Sequence, residues 1–293
     1  MDRIKAEKEI KEKTLLGHTN VVYSLVKFNE TTILSGSADK TIKSWNVYSG
    51  QFLNTFTGHT NSVYSLIKLD ETMIISGSLD NSIKTWNVEQ ATCLRTFNGH
   101  IYGICSLLKL NDNTIVSGSF DNYIKSWNVN SGQWLKTYSG HSSAVFSLLK
   151  LNETTILSAS ADKTIKSWNV DSAQCLDTLT GHTNAVSCMI QLNTTTLVSG
   201  SHDGSIKRWD LDLKQCVKTF NGHISDIYCL IKLNENKIAS GGLDYAIKIW
   251  DVYSEQCIKS FSDYSVHYYC LVKLNETTLA SGSSSSSIRI WNI

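Results

Sequence analysis

Six of the eight histidines stand in Gly-His pairs, at His18, His59, His100, His141, His182 and His223, each 41 residues after the one before. Serines (Ser35, Ser76, Ser117, Ser158, Ser199, Ser240) and aspartates (Asp39, Asp80, Asp121, Asp162, Asp203, Asp244) keep the same period. Ser, His and Asp are the components of a nucleophilic triad, in which Asp orients a His that takes the Ser proton. Catalysis needs such groups to converge on one substrate, and six identical sets spread along a chain do not converge. Their repetition marks a scaffold. Neither His-x-x-x-His nor Cys-x-x-Cys spacing occurs, so no metal site is expected, and no catalytic or cofactor-binding residue either.

The elements that carry these residues also repeat. Tryptophans keep the 41-residue period at Trp45, Trp86, Trp127, Trp168, Trp209, Trp250 and Trp291. Each unit reads as four short strands rich in β-branched and aromatic residues, in the first unit residues 21–28, 32–37, 41–47 and 51–57, parted by turn residues. A four-stranded unit repeated seven times predicts an all-β fold, a seven-bladed β-propeller of antiparallel blades. The last unit stops at its third strand, Trp291-Asn292-Ile293, and Thr14-Leu15 precedes Gly17 as Thr55-Phe56 precedes Gly58. Residues 11–16 are therefore expected to pair with the last blade and close the ring, fraying at Lys11 and Glu12. This divides the chain into a charged tail, 1–10, and a single propeller domain, 11–293.

Gly-His, then Ser-Gly-Ser-x-Asp (residues 35–39, 76–80 and 117–121), then Ile-Lys-x-Trp-Asn (42–46) resemble the WD-repeat family of seven-bladed propellers. The resemblance spans residues 11–293, although Trp-Asp itself occurs only at Trp209-Asp210 and Trp250-Asp251. It implies a structural tetrad in each of six blades: His18, Ser35, Asp39 and Trp45 in the first, His59, Ser76, Asp80 and Trp86 in the second, and His100, Ser117, Asp121 and Trp127 in the third. The same holds for His141, Ser158, Asp162 and Trp168, for His182, Ser199, Asp203 and Trp209, and for His223, Ser240, Asp244 and Trp250. Asp accepts from one imidazole nitrogen, the other accepts from the Ser hydroxyl, and that hydroxyl accepts from the indole N–H. In the seventh unit Asp263-Tyr264 and a serine run replace the pattern, leaving Ser281 and Trp291.

Composition narrows the rest. A chain of 293 residues with 41% apolar residues, 18% charged residues and net charge +1 is globular rather than disordered or polybasic, so nucleic acid is not an expected partner. Neither an apolar span nor a signal-peptide core is present, so no membrane partner is expected and the expected compartment is the cytoplasm, with the nucleus as an alternative. Cys93, Cys175, Cys216 and Cys257 share one repeat position and Cys188, Cys229 and Cys270 another; all are expected to be small, buried and free. Lysines ending the inner strands, such as Lys27 and Lys150, are followed within three residues by acids and predict a self-neutralised rim.

While the framework holds steady between copies, three positions vary: three and five residues after each Gly-His histidine, and just before each turn aspartate. The WD-repeat resemblance implies that they ring the channel mouth on the top face, the family's usual docking surface. The expected protein-binding residues are Tyr23, Tyr64, Leu79, Phe120, Phe146, His202, Asp226, Tyr228, Leu243, His267 and Tyr269, a mix suited to an interface core. The expected function is a non-catalytic protein–protein interaction scaffold that binds a protein or peptide there and is monomeric on its own. The turn Leu69-Asp70-Glu71-Thr72 also resembles propellers of F-box ubiquitin-ligase receptors, which would make the chain a substrate-recognition domain of a ubiquitin-ligase-like assembly. A small-molecule or enzymatic propeller would need titratable groups at the mouth, and only Asp226, His202 and His267, on different blades, are candidates.

Overall fold

A computed structural model describes residues 10–263 and 265–293. These residues form 28 strands in seven four-stranded antiparallel sheets. In the first blade the strands run Val22–Lys27, Thr32–Ser37, Ile42–Asn46 and Phe52–Phe56 from channel to rim. Several are a residue shorter at their ends than the sequence implies because the flanking amides serve the turns: Phe28 donates to the Thr32 carbonyl and Val47 to that of Thr31. Inner strands pack side by side, and the last, Tyr268–Lys273, meets the first, so the chain is a closed seven-bladed β-propeller.

Closure uses both ends of the chain. Lys13–Leu16 is the outer strand of the seventh blade, antiparallel to Ser287–Asn292, with Leu15 opposite Ile288 and Lys13 opposite Ile290. Pairing begins at Lys13 because Lys11 and Glu12 put exposed charges where other outer strands carry apolar residues. Ile10, the last residue of the expected tail, is buried with Leu15, Trp45 and Ile288 between the first and last blades. The remainder of that tail, and Tyr264, lie outside the described residues.

Each seam between blades holds its own apolar cluster, and the repeated tryptophans lie in these clusters. The Gly-His glycine is needed for that packing. At Gly17 φ is +155° and a Cβ would stand 3.0 Å from the Trp45 ring, so any side chain meets both backbone strain and the indole. The lysines that end the inner strands pair with the acid three residues on, as Lys150 does with Glu153 at 2.6 Å. Lys150 also donates to the Leu110 carbonyl of the preceding blade, and Lys109 to Leu69, so these side chains fasten neighbouring blades.

The cysteine expectation needs correcting. Cys188, Cys229 and Cys270 are buried, as is Cys105, but Cys93, Cys175 and Cys257 are exposed and Cys216 is half-buried. An outer strand has no further strand beyond its edge, and its first residues project from the rim, so a small apolar residue there stays in solvent. All eight cysteines are free. Burial pushes the inner thiols up, Cys188 to about 12. Among the described residues no helix is long and apolar enough to cross a membrane.

Candidate functional site: the channel mouth

Six blades hold the same chain of hydrogen bonds. His Nδ1 lies 2.6–2.8 Å from Asp Oδ2, and His Nε2 lies 2.6–2.7 Å from Ser Oγ. The Trp Nε1–H donates to that same Oγ at 2.7–2.8 Å. Burial pushes the Asp39 carboxyl up, but hydrogen bonds from His18 and Thr41 outweigh it and hold the group well below the usual carboxylate range. The serine is fully buried and committed to indole and imidazole, so it presents no nucleophile to a substrate. In the seventh blade Trp291 donates to Ser281 at 2.8 Å, while Ser283, Ser285 and Ser287 bond one another.

The residues five after each Gly-His histidine meet at one end of the channel. Tyr23, Tyr64, Cys105, Phe146, Ser187, Tyr228 and Tyr269 all line a cavity of about 620 Å³. Five are aromatic, and the two small ones are compensated from their own blades: Phe120 fills the space beside Cys105, and His202 that beside Ser187. The result is a closed collar of seven rings. Tyr23 stacks on Tyr64 (4.2 Å between centroids), followed by Tyr64–Phe120 at 6.2 Å, Phe120–Phe146 at 5.9 Å, Phe146–His202 at 6.0 Å, His202–Tyr228 at 4.8 Å, Tyr228–Tyr269 at 5.1 Å and Tyr269–Tyr23 at 5.2 Å. Burial among the other rings pushes the Tyr228 hydroxyl up to about 12.

The other expected contact residues are placed around this collar. Leu79 packs beside Gly103 and Phe120, and the missing side chain of Gly103 makes that room. Asp226 joins through His202, whose Nδ1 is 3.5 Å from its carboxylate. Burial lowers the His202 imidazole against the opposing pull of Asp226, and its Nε2 has no partner among the described residues. His267 stands apart, its Nδ1–H donating to the Leu243 carbonyl and its ring stacking on Tyr245 at 4.8 Å. Two of the three titratable candidates thus meet. The nearby Ser187 hydroxyl bonds the carbonyls of Gly200 and Ile227 instead of facing that pair. No group of three or more His, Cys, Asp or Glu is placed to hold a metal among the described residues.

Outside the collar the same end carries apolar side chains that sequence reasoning passed over. Ile101 is 70% exposed and Tyr102 59%, with Phe120 and Tyr123 beside them, all anchored to one turn: the Ile101 and Tyr123 amides donate to Asp121, and that of Phe120 to Gly103. The sixth blade adds Ile224, 91% exposed, and Tyr245. Comparing copies one and two residues after each Gly-His would have found Ile101, Tyr102 and Ile224, since the first, second, fourth and fifth blades have Thr or Ser, then Asn or Ser, there. Two residues after the turn aspartate, substitutions in the third and sixth blades cost local bonding. In those four blades a Thr or Ser hydroxyl donates to the turn aspartate at 2.6 Å. Tyr123 and Ala246 abolish that bond, leaving Asp244 Oδ1 unpartnered among the described residues.

A family model described as "WD domain, G-beta repeat" matches residues 10–46, 50–87, 91–128, 132–169, 173–210 and 214–251. Among solved structures, the chain is similar to the WD40 β-propeller domain of Doa1, at 27% identity and a TM-score of 0.86 over 95% of each chain. No curated protein matches it.

Proposed function

The chain belongs to the WD domain, G-beta repeat family, and from that premise we propose that it is a non-catalytic scaffold that binds a partner protein across its channel mouth. It works as a monomer in the cytoplasm or nucleus. One observation carries the reading: the third and sixth blades present exposed Ile and Tyr side chains, Ile101, Tyr102, Tyr123, Ile224 and Tyr245, where the first, second, fourth and fifth carry polar residues or Gly. Folding gains nothing from apolar side chains left in solvent, whereas an exposed apolar cluster beside an aromatic collar suits an interface core. The partner has apolar anchors for the third and sixth blades, and the half-exposed Asp226 carboxylate selects a basic or amide group on it. Substrate recognition within a ubiquitin-ligase-like assembly would use this same face.

The small-molecule reading rests on the cavity inside the collar and the His202–Asp226 pair. With the Ser187 hydroxyl held by backbone, that pair lacks a nucleophile to activate, which favours binding over hydrolysis. Affinity capture with the wild type, with Ile101→Ser/Tyr102→Ser and with Leu213→Ser on the rim tests the scaffold. A partner retained by wild type and by the rim variant, and lost with the double variant, supports it. Equal retention by all three rejects this face.

A further inference from the structure

The seam between the fourth and fifth blades, like the closing seam where Leu15 faces Trp45, lacks an outer-strand ring against the next tryptophan. In four seams an outer-strand ring lies edge-on against the tryptophan of the next blade: Phe56 on Trp86, Phe97 on Trp127, Tyr138 on Trp168 and Phe220 on Trp250. At the equivalent place facing Trp209 the chain has Leu179. Two residues earlier, where Arg95 and Lys136 reach across to carbonyls of the next blade, stands the short Asp177. Lys214 of the fifth blade reaches back to it instead, at 2.6 Å.

At this seam lies a cavity of about 210 Å³ that reaches down to Leu157, Ile165 and Leu179. A second rim cavity, between the first and second blades, also lies beside a short residue, Asn54, but Phe56 fills its depth and does not line it. A polar atom marks the difference as well. Ser44 of the first blade accepts the Asn54 amide at 3.1 Å, whereas the buried Ser167 hydroxyl, its counterpart in the 4–5 cavity, has no partner among the described residues. A cavity of this order, apolar at its depth, has room for a benzene-sized ring, and a buried hydroxyl left unpaired favours a ligand that can pair it.

One seam away the molecule shows what fills such a space. The Tyr138 ring lies against Trp168, its hydroxyl donates to the Val170 carbonyl at 3.1 Å, and it lies by the Ser126 hydroxyl. Trp209, Leu211 and Ser167 are the same three positions one repeat later. We propose that the cavity between the fourth and fifth blades is a binding site for a small phenol, its ring against Leu157, Ile165 and Leu179 and its hydroxyl at Ser167 and the Leu211 carbonyl. The site is on the rim, independent of the channel mouth.

Calorimetric titration of the full chain with p-cresol, toluene and N-acetyl-tyrosinamide tests this. Wild type binds p-cresol saturably and several-fold more tightly than toluene. Leu179→Tyr, which supplies the ring from the chain itself, weakens p-cresol binding at least about tenfold and raises Tm. Ser167→Ala removes the preference for p-cresol over toluene. Binding of N-acetyl-tyrosinamide as well shows that the ring can be presented by a polypeptide; its failure beside p-cresol binding assigns the site to free phenols. Absence of saturable p-cresol binding, or p-cresol binding unchanged in Leu179→Tyr, overturns the proposal, and neither result bears on the channel mouth.

Discussion

Asp121 is the most enclosed of the tetrad carboxylates, taking His100 on one oxygen together with the Ile101 amide, and the Tyr123 amide on the other. Asp121→Ala strands the buried imidazole donor and both amides, and costs about 1–3 kcal/mol in denaturant unfolding. Ser285→Ala, in the exposed serine turn of the seventh blade, changes stability by less than about 0.5 kcal/mol; equal losses for the two would contradict the tetrad. All six turn aspartates are lowered in the folded chain. A depressed carboxyl binds its proton more readily in the unfolded chain, so its stabilisation is complete above the ordinary value of about 4 and is lost as pH falls below it. Urea midpoints are therefore flat from neutral pH down to about 5 and drop steeply below about 4; a midpoint unchanged at pH 3 would deny these bonds their role. The tetrad positions were legible because His, Ser, Asp and Trp recur in one register. The collar was only half legible, because nothing in the chain's order says that Phe120 or His202 fills the space beside Cys105 or Ser187.

Strands and ring closure follow from local rules at the next scale. The likeness of Thr14-Leu15 to Thr55-Phe56 located the closing strand because both face the same kind of tryptophan seam. Leu15 is buried and its neighbour Leu16 exposed, so Leu15→Ala costs about 2–5 kcal/mol and Leu16→Ala almost nothing. Similar thermal shifts for the pair would mean that the strand does not seal the ring. Exposure of the outer cysteines was not legible, since a repeat position shows its strand but not that the strand is last in its sheet. Gly103 offers a further test between blades. A Cβ there would lie 2.4 Å from the Leu79 side chain and 2.9 Å from its Cα, so Gly103→Ala destabilises by about 1–3 kcal/mol. An unchanged Tm would show that the second and third blades part freely at the mouth.

Across the whole molecule, seven near-copies supply one rigid ring, and two of the places where the copies differ are the channel mouth and the seam between the fourth and fifth blades. Copy-to-copy comparison could reveal both, yet attention to three variable positions bypassed Ile101, Tyr102, Tyr123, Ile224 and Tyr245, whose meaning depends on their standing exposed at one end. The apolar cluster of the third blade is the most direct handle on the scaffold reading, because its side chains are anchored through backbone and can be truncated without opening the core. The deciding measurement is the Kd of a purified captured partner for wild type and for Ile101→Ser/Tyr102→Ser, with Tm recorded on the same samples. Binding weakened by roughly 1–4 kcal/mol at an unchanged Tm is the expected result; an unchanged Kd would place the partner elsewhere on the propeller.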